Sequence, residues 1–210
     1  MHLRRRVISL WCKILYYLFG KELKKSLTSF RENVKENISI DSLIPEFLKS
    51  EFKNIELPKY KVSTHWQLSD CRTPDYAFYL DANYVFILSG IDGEDNEISL
   101  ACLAFNPFGA KSICIRQIQG AYSDYNKRVS ILKPIKWERM MIKIVCQWAR
   151  QHKIRNVYMI SATESNWYND DRHNQMYMRY DVTAKRMGFK YNPLKKLYRS
   201  SAYRFKQVAV

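Results

Sequence analysis

The sequence predicts an α/β fold of the α+β kind. It is a mixed, mostly antiparallel sheet with a central strand–helix–strand crossover, plus an N-terminal helical extension. Three observations predict it. Aromatic and β-branched runs, separated by short polar turns, fill residues 76–119. A strong helical periodicity follows at residues 137–149. A short apolar strand, a second helix and closing strands then complete the chain, so that helices and strands alternate only in its second half.

Residues 1–60 read as an amphipathic helical extension and connector, and residues 61–210 as the folded domain. Val7, Leu10, Trp11, Ile14, Leu15 and Leu18 recur at helical spacing behind Arg4, Arg5 and Arg6. Lys13 interrupts the apolar run and no small-x-small site follows, which speaks against a cleaved leader. The run is also shorter than the ~20 residues of a spanning helix. The stripe is expected to pack on the domain; the other reading is an interfacial helix on an anionic membrane. Residues 21–60 are punctuated by Pro45 and Pro58 and show no chemistry.

Tyr76 to Leu80 and Tyr84 to Gly90 read as strands separated by the turn Asp81-Ala82-Asn83. Asp92-Gly93 marks the next turn, Ile98 to Phe105 the next strand, and Ser112 to Gln119 the strand after Asn106-Pro107-Phe108-Gly109. Short connections make this an antiparallel meander. Trp137, Met140, Met141, Ile144, Val145, Trp148 and Ala149 then form one face of a helix entered after Lys133-Pro134. Asn156 to Ala162 is a buried strand, and a strand–helix–strand passage requires a parallel pair. A second helix spans about residues 175–187 and stops at Gly188. Phe189 to Tyr191 and Tyr198 to Phe205 close the sheet around Asn192-Pro193.

With 47% apolar residues and only six glycines and six prolines, the chain is neither disordered nor low-complexity. Cys12, Cys71, Cys102, Cys114 and Cys146 have no CxxC pair, so reduced thiols in the cytoplasm are expected, and neither a disulfide framework nor a zinc site. The net charge of +15 is uneven. Residues 61–110 carry two basic and seven acidic side chains, whereas residues 111–210 carry 21 and six. The second half therefore attracts anions: phosphates, nucleic acid, an acidic carrier protein or anionic lipid.

Two passages resemble the GCN5-related N-acetyltransferase (GNAT) fold. The run from Trp148-Ala149 through Lys153-Ile154-Arg155-Asn156-Val157-Tyr158-Met159-Ile160 is similar to that family's central helix and following strand. Thr183-Ala184-Lys185-Arg186-Met187-Gly188-Phe189-Lys190-Tyr191 is similar to its late helix, which ends in Gly-Phe. Ile115 to Gly120, Leu132-Lys133-Pro134 and Trp137-Glu138 look like the bacterial VirK-type proteins. The likeness implies an acyltransferase that uses acyl-coenzyme A or an acyl carrier protein thioester as cosubstrate, with no metal. It also implies a donor site at Gln117, Gln119, Lys133, Lys136 and Trp137. Residues 131–137 depart from the family by having no glycine, so Lys133 and Lys136 would supply charge in place of backbone donors. Ala184 stands where the family often has a tyrosine acid, and Tyr180, one turn earlier, is the substitute.

Acyl transfer needs a base, donors for the oxyanion and an acid for the leaving group. Glu164 lies just beyond the 156–162 strand, where open sheets bind ligands, and is the expected base; Asn166 is the expected donor. A solvated loop is the other reading of both. Glu138 is a second base candidate or a favourable charge at a helix start. The four histidines have no metal-ligand spacing, and the serines lack GxSxG. Aromatic and basic residues interleave from Tyr177 to Arg204. That mixture suits an acidic acyl carrier or a non-enzymatic nucleic-acid module as well as a solvated face. Expected partners are thus an acyl donor, an unidentified acceptor, a carrier or nucleic acid, and anionic membrane through residues 1–25.

Overall fold

A computed structural model describes residues 38–39, 60–66, 78–91, 96–109, 111–121, 131–132 and 135–202. The expected helix at residues 7–18 lies outside them, as do Lys133, Cys12 and Cys71. Eight strands form one sheet: β1 (Ile38–Ser39), β2 (Tyr60–Trp66), β3 (Tyr84–Ile91), β4 (Glu97–Pro107), β5 (Ser112–Gly120), β6 (Asn156–Ile160), β7 (Lys190–Asn192) and β8 (Leu197–Ser201). Their order is β1-β2-β3-β4-β5-β6-β8-β7. Every neighbouring pair is antiparallel except β5 with β6, which run parallel. The class is therefore mixed and mostly antiparallel. β1 and the start of β2 fall within the stretch read as a connector, so the sheet begins earlier than residue 61. Of the strand expected at residues 76–80, the described part, 78–80, makes a single bridge at Tyr79.

β3 is central, and Tyr84 through Gly90 are all buried, which accounts for its unbroken apolar run. The turn from β4 to β5 uses Gly109 at φ +94°, a conformation that favours glycine. α1 (Trp137–Gln151) connects β5 to β6. Its buried set is the predicted stripe widened by Ile142 and Cys146. Trp148 anchors it on the sheet, with its ring 5.8 Å from Phe86 and 5.2 Å from Phe105. Phe105 in turn stacks on Tyr84 at 5.6 Å. A second core on the opposite face gathers Phe78, Leu80, Val85, Ile87, Cys102 and Ala104.

Two features part β5 from β6. Their register runs only from Ser112 opposite Asn156 to Ile115 opposite Met159. Immediately beyond, the β4 ladder shifts: Phe105 faces Ile115 while Ala104 faces Gln117, leaving Arg116 as an extra residue. A bulge of this kind bends its strand. β5 then continues to Gly120 with no strand of the described residues beside it on that edge.

The second helix is a composite. α2 (His173–Tyr177), a π-helical turn (Met178–Val182) and α3 (Thr183–Arg186) follow one another without a break. It starts before the predicted residue 175, and the π turn breaks its period. Gly188, at φ +72°, ends it as expected. Gly188 N–H donates to Lys185 O and Phe189 N–H to Ala184 O, both at 2.9 Å, the pattern of a left-handed C-terminal cap.

α1 ends by the same device on the wrong residue. Lys153 N–H donates to Arg150 O at 3.1 Å and Ile154 N–H to Ala149 O at 2.8 Å, with Lys153 at φ +58°. A side chain in that conformation costs about 1 kcal/mol relative to glycine. Replacing Lys153 with Gly is expected to stabilise the protein by about 0.5–1 kcal/mol in urea denaturation; a loss of stability would mean that the Lys153 side chain makes a compensating contact.

Candidate functional site

The separation of β5 from β6 leaves backbone donors on both arms, and the π turn satisfies them with consecutive residues. The Tyr180 hydroxyl accepts from Ile118 N–H of β5 at 3.0 Å. Asp181 Oδ2 accepts from Ala162 N–H, just past β6, at 2.9 Å, and its Oδ1 accepts from the Tyr198 hydroxyl of β8 at 2.8 Å. Both side chains are buried. A π turn holds one residue more than an α turn, and such turns recur at functional sites. Burial, before any other influence, pushes the Tyr180 phenol up to about 12, so it keeps its proton at neutral pH. Burial and then the Asp181 carboxylate hold the Tyr198 phenol higher still.

Below this bridge lies a cleft of about 750 Å³. Its floor is β5 from Gln117 onward, one wall is the start of α1, and the other is the run 172–186. Ala121 N–H donates to Leu100 O of β4 at 3.0 Å. Strand alternation therefore turns Gly120 N–H away from β4, to the side that Ile118 N–H faces. A Cβ on Gly120 would lie 3.9 Å from Trp137, so this backbone forms part of the cleft wall.

The lining is cationic. Among the described residues, Lys136, Arg139, Arg172, Arg179 and Arg186 face it, against one carboxylate, Glu138. Arg179 lies over the Trp137 ring, 5.6 Å from its centroid, and its buried Nε finds no hydrogen-bond acceptor among the described residues. Burial pushes the Glu138 carboxyl above its ordinary value; its own backbone N–H, then Arg179 and Arg139, pull the other way. No side chain caps α1 at Lys136. The first N–H groups are met locally instead: Trp137 N–H donates to Ile135 O at 2.7 Å, and the Glu138 N–H interacts with its own carboxylate.

Of the residues singled out from sequence, Gln117, Gln119, Lys136, Trp137 and Tyr180 all line the cleft. Gln117 and Gln119 do so with their side chains committed elsewhere. Gln117 Nε2 donates to Tyr79 O at 2.6 Å and to the Gln119 side chain, and its Oε1 accepts from Asp81 N–H at 2.9 Å. These amides pin residues 79–81 to the second face of β5.

Glu164 and Asn166 are not part of the lining. A short 3₁₀ turn (Ala162–Glu164) follows β6 and sends Glu164 to Lys196, 3.1 Å away. Asn166 donates to Asp81 Oδ1 at 3.2 Å. The cleft's own carboxylate, Glu138, was legible as a charge at a helix start. Arg172, Arg179 and Arg186 are spaced seven residues apart, a helical-face signal that the sequence carried and that interleaving with aromatics obscured.

Cys102, Cys114 and Cys146 are buried thiols, and burial pushes Cys114 up to about 11. Among the described residues no group of three His, Cys, Asp or Glu side chains converges. No helix among them is long and apolar enough to cross a membrane.

No family model matches the chain, and no curated protein matches it. Among solved structures, the crystal structure of a domain from Methanocaldococcus jannaschii DSM 2661 is similar at 11% identity. It covers 68% of this chain and 99% of its own length with a TM-score of 0.37. A likeness that low carries no conclusion about fold or function.

The bridge makes a stability prediction. Asp181→Ala strands two buried donors and is expected to cost about 2–4 kcal/mol in chemical denaturation, whereas Tyr198→Phe, which removes one donor and leaves Asp181 its bond from Ala162 N–H, costs about 1–2 kcal/mol. Equal, small effects from both would show that Asp181 does not join the two arms.

Proposed function

We propose that the protein is a GNAT-like acyltransferase that moves an acyl group from a coenzyme A or acyl-carrier thioester to an amine or hydroxyl. The observation that carries this reading is the cationic cleft where two parallel strands, linked by α1, part company. Parallel strands diverging at their C-terminal ends create a crevice for ligands. The β5 edge offers peptide groups to an extended donor chain. Lys136 and Arg139 stand at the start of α1, where their charge and the helix dipole favour phosphate. The glycine-free entry to that helix, which departs from the family, makes charge rather than close backbone approach the chief attraction for phosphate.

The chemistry assigns each group one task. Glu138, with its raised carboxyl, takes the proton from the acceptor nitrogen or oxygen. That atom bonds to the thioester carbonyl carbon, and the carbon–sulfur bond breaks. Gly120 N–H, and Ile118 N–H once Tyr180 shifts, donate to the carbonyl oxygen as it gains charge. Tyr180, still protonated, gives its proton to the departing thiolate. Glu138 takes the role expected of Glu164, because Glu138 lines the cleft and Glu164 does not.

Calorimetry with acetyl-coenzyme A and with an acyl-loaded carrier protein, followed by thiol-release assay, tests the reading. Binding of either donor that Lys136→Ala together with Arg139→Ala weakens about tenfold is expected, and absence of binding to both removes it.

Glu138→Gln is expected to lower turnover about a hundredfold or more with little change in donor affinity. In the unsubstituted enzyme the rate should rise with pH through a midpoint above the ordinary carboxylate range, because the base acts only when ionised. Stability should move the opposite way. A carboxyl whose folded-state value is raised contributes most below its unfolded value and loses that contribution as pH climbs through the raised one. A rate profile unchanged by Glu138→Gln would show that this carboxylate is not the base.

A further inference from the structure

The cleft has an apolar lip that acyl transfer to a small polar acceptor leaves unused. Of the large apolar side chains exposed among the described residues, Trp167 (38%) and Met178 (51%) line the cleft itself. Tyr79, 47% exposed, lies against Trp167 with ring centroids 6.4 Å apart. Arg172, Arg179 and Arg186 line the same cleft, on the run that also carries Met178. In a continuous helix their span would be about 20 Å. A hydrocarbon-compatible rim sharing a cleft with a cation row fits a ligand that is apolar at one end and anionic at the other.

Resting on the acyl-transfer reading, we propose that the acceptor is a phosphate-bearing lipid. Its head group enters between Arg172, Arg179 and Arg186, and its hydrocarbon lies over Trp167 and Met178. Charge complementarity selects the anion: apart from Lys136 and Arg139, which serve the donor, the described lining offers Arg172, Arg179 and Arg186, and the buried Nε of Arg179 meets no acceptor among the described residues. Shape argues against a nucleic-acid strand. Stacked bases need successive flat faces, whereas the exposed apolar groups of the cleft itself are Trp167, tilted by 50° against Tyr79, and a methionine. The reaction is the one described above with a lipid hydroxyl or amine as nucleophile. The new carbon–oxygen or carbon–nitrogen bond forms as the thioester bond breaks, Glu138 takes the nucleophile's proton, and the thiolate leaves with that of Tyr180.

Calorimetry of the full chain with monomeric dihexanoyl phosphatidylglycerol, inorganic phosphate and a ten-residue oligothymidylate tests the assignment. The lipid is expected to bind about tenfold or more tighter than phosphate, and Trp167→Ser with Met178→Ser to remove about tenfold of that while leaving phosphate and acetyl-coenzyme A binding within about twofold. Trp167→Leu, which keeps apolar surface, should retain lipid binding within about threefold, and Met178→Ser alone serves if the double variant does not fold. Equal affinity for lipid and phosphate, tighter binding of the oligonucleotide, or lipid binding indifferent to the rim would each overturn the proposal. Failure of acetyl-coenzyme A and acyl carrier to bind the unsubstituted protein would instead remove the acyl-transfer reading.

Discussion

When two parallel strands stop pairing, the peptide groups along the gap lose their partners, and an unpaired buried N–H is costly. β5 and β6 part beyond Ile115 and Met159, at the bulge on Arg116. Much of the site follows from how that gap is filled. Tyr180 reaches one arm and Asp181 the other, and successive residues of one helical run do so within a π turn. The second helix is thereby fixed across the gap, and one wall of the cleft is fixed with it. Asp181 also holds β8 through Tyr198. A single carboxylate thus ties together β6, β8 and the helix that lies over them.

The cleft beneath this bridge is electrostatically one-sided. Among the described residues one carboxylate faces four guanidinium groups and one ammonium group, and burial works against its ionisation while Arg179 and Arg139 favour it. Perturbed carboxylates of this kind cluster at functional sites. Trp137 contributes in two ways: its ring supports Arg179, and its backbone begins α1. The same residues therefore set the charge, the floor and the depth of the hollow.

The parts of the fold that were legible in the sequence are those with strong local periodicity. The α1 stripe runs from Trp137 to Ala149 without exception, so both the helix and the parallel pair it implies could be read. Gly188 announced a helix end because glycine is the usual residue in that conformation. Lys153 adopts the same conformation with no such signal. β2 went unread because Lys61, Ser63 and His65 alternate with Val62, Thr64 and Trp66, which is a weak contrast. The bulge at Arg116 left no local mark. It arises from a register shift between strands, and this is what opens the gap. Glu164 sits where strand-end reasoning puts it in sequence, but three residues of 3₁₀ turn deliver it to Lys196. A site assembled from β5, α1 and the 172–186 run depends on contacts across more than sixty residues, which residue spacing does not encode.

Amide hydrogen exchange at Ile118 and Ala162, followed by NMR in the unsubstituted protein and in Tyr180→Phe, tests the bridge across the gap most directly. Both amides are expected to be protected at first, and the substitution to free Ile118 by about tenfold or more while Ala162 keeps its protection through Asp181. Protection of Ile118 that persists without the Tyr180 hydroxyl would contradict the bridge and mean that β5 is covered along that edge by something else.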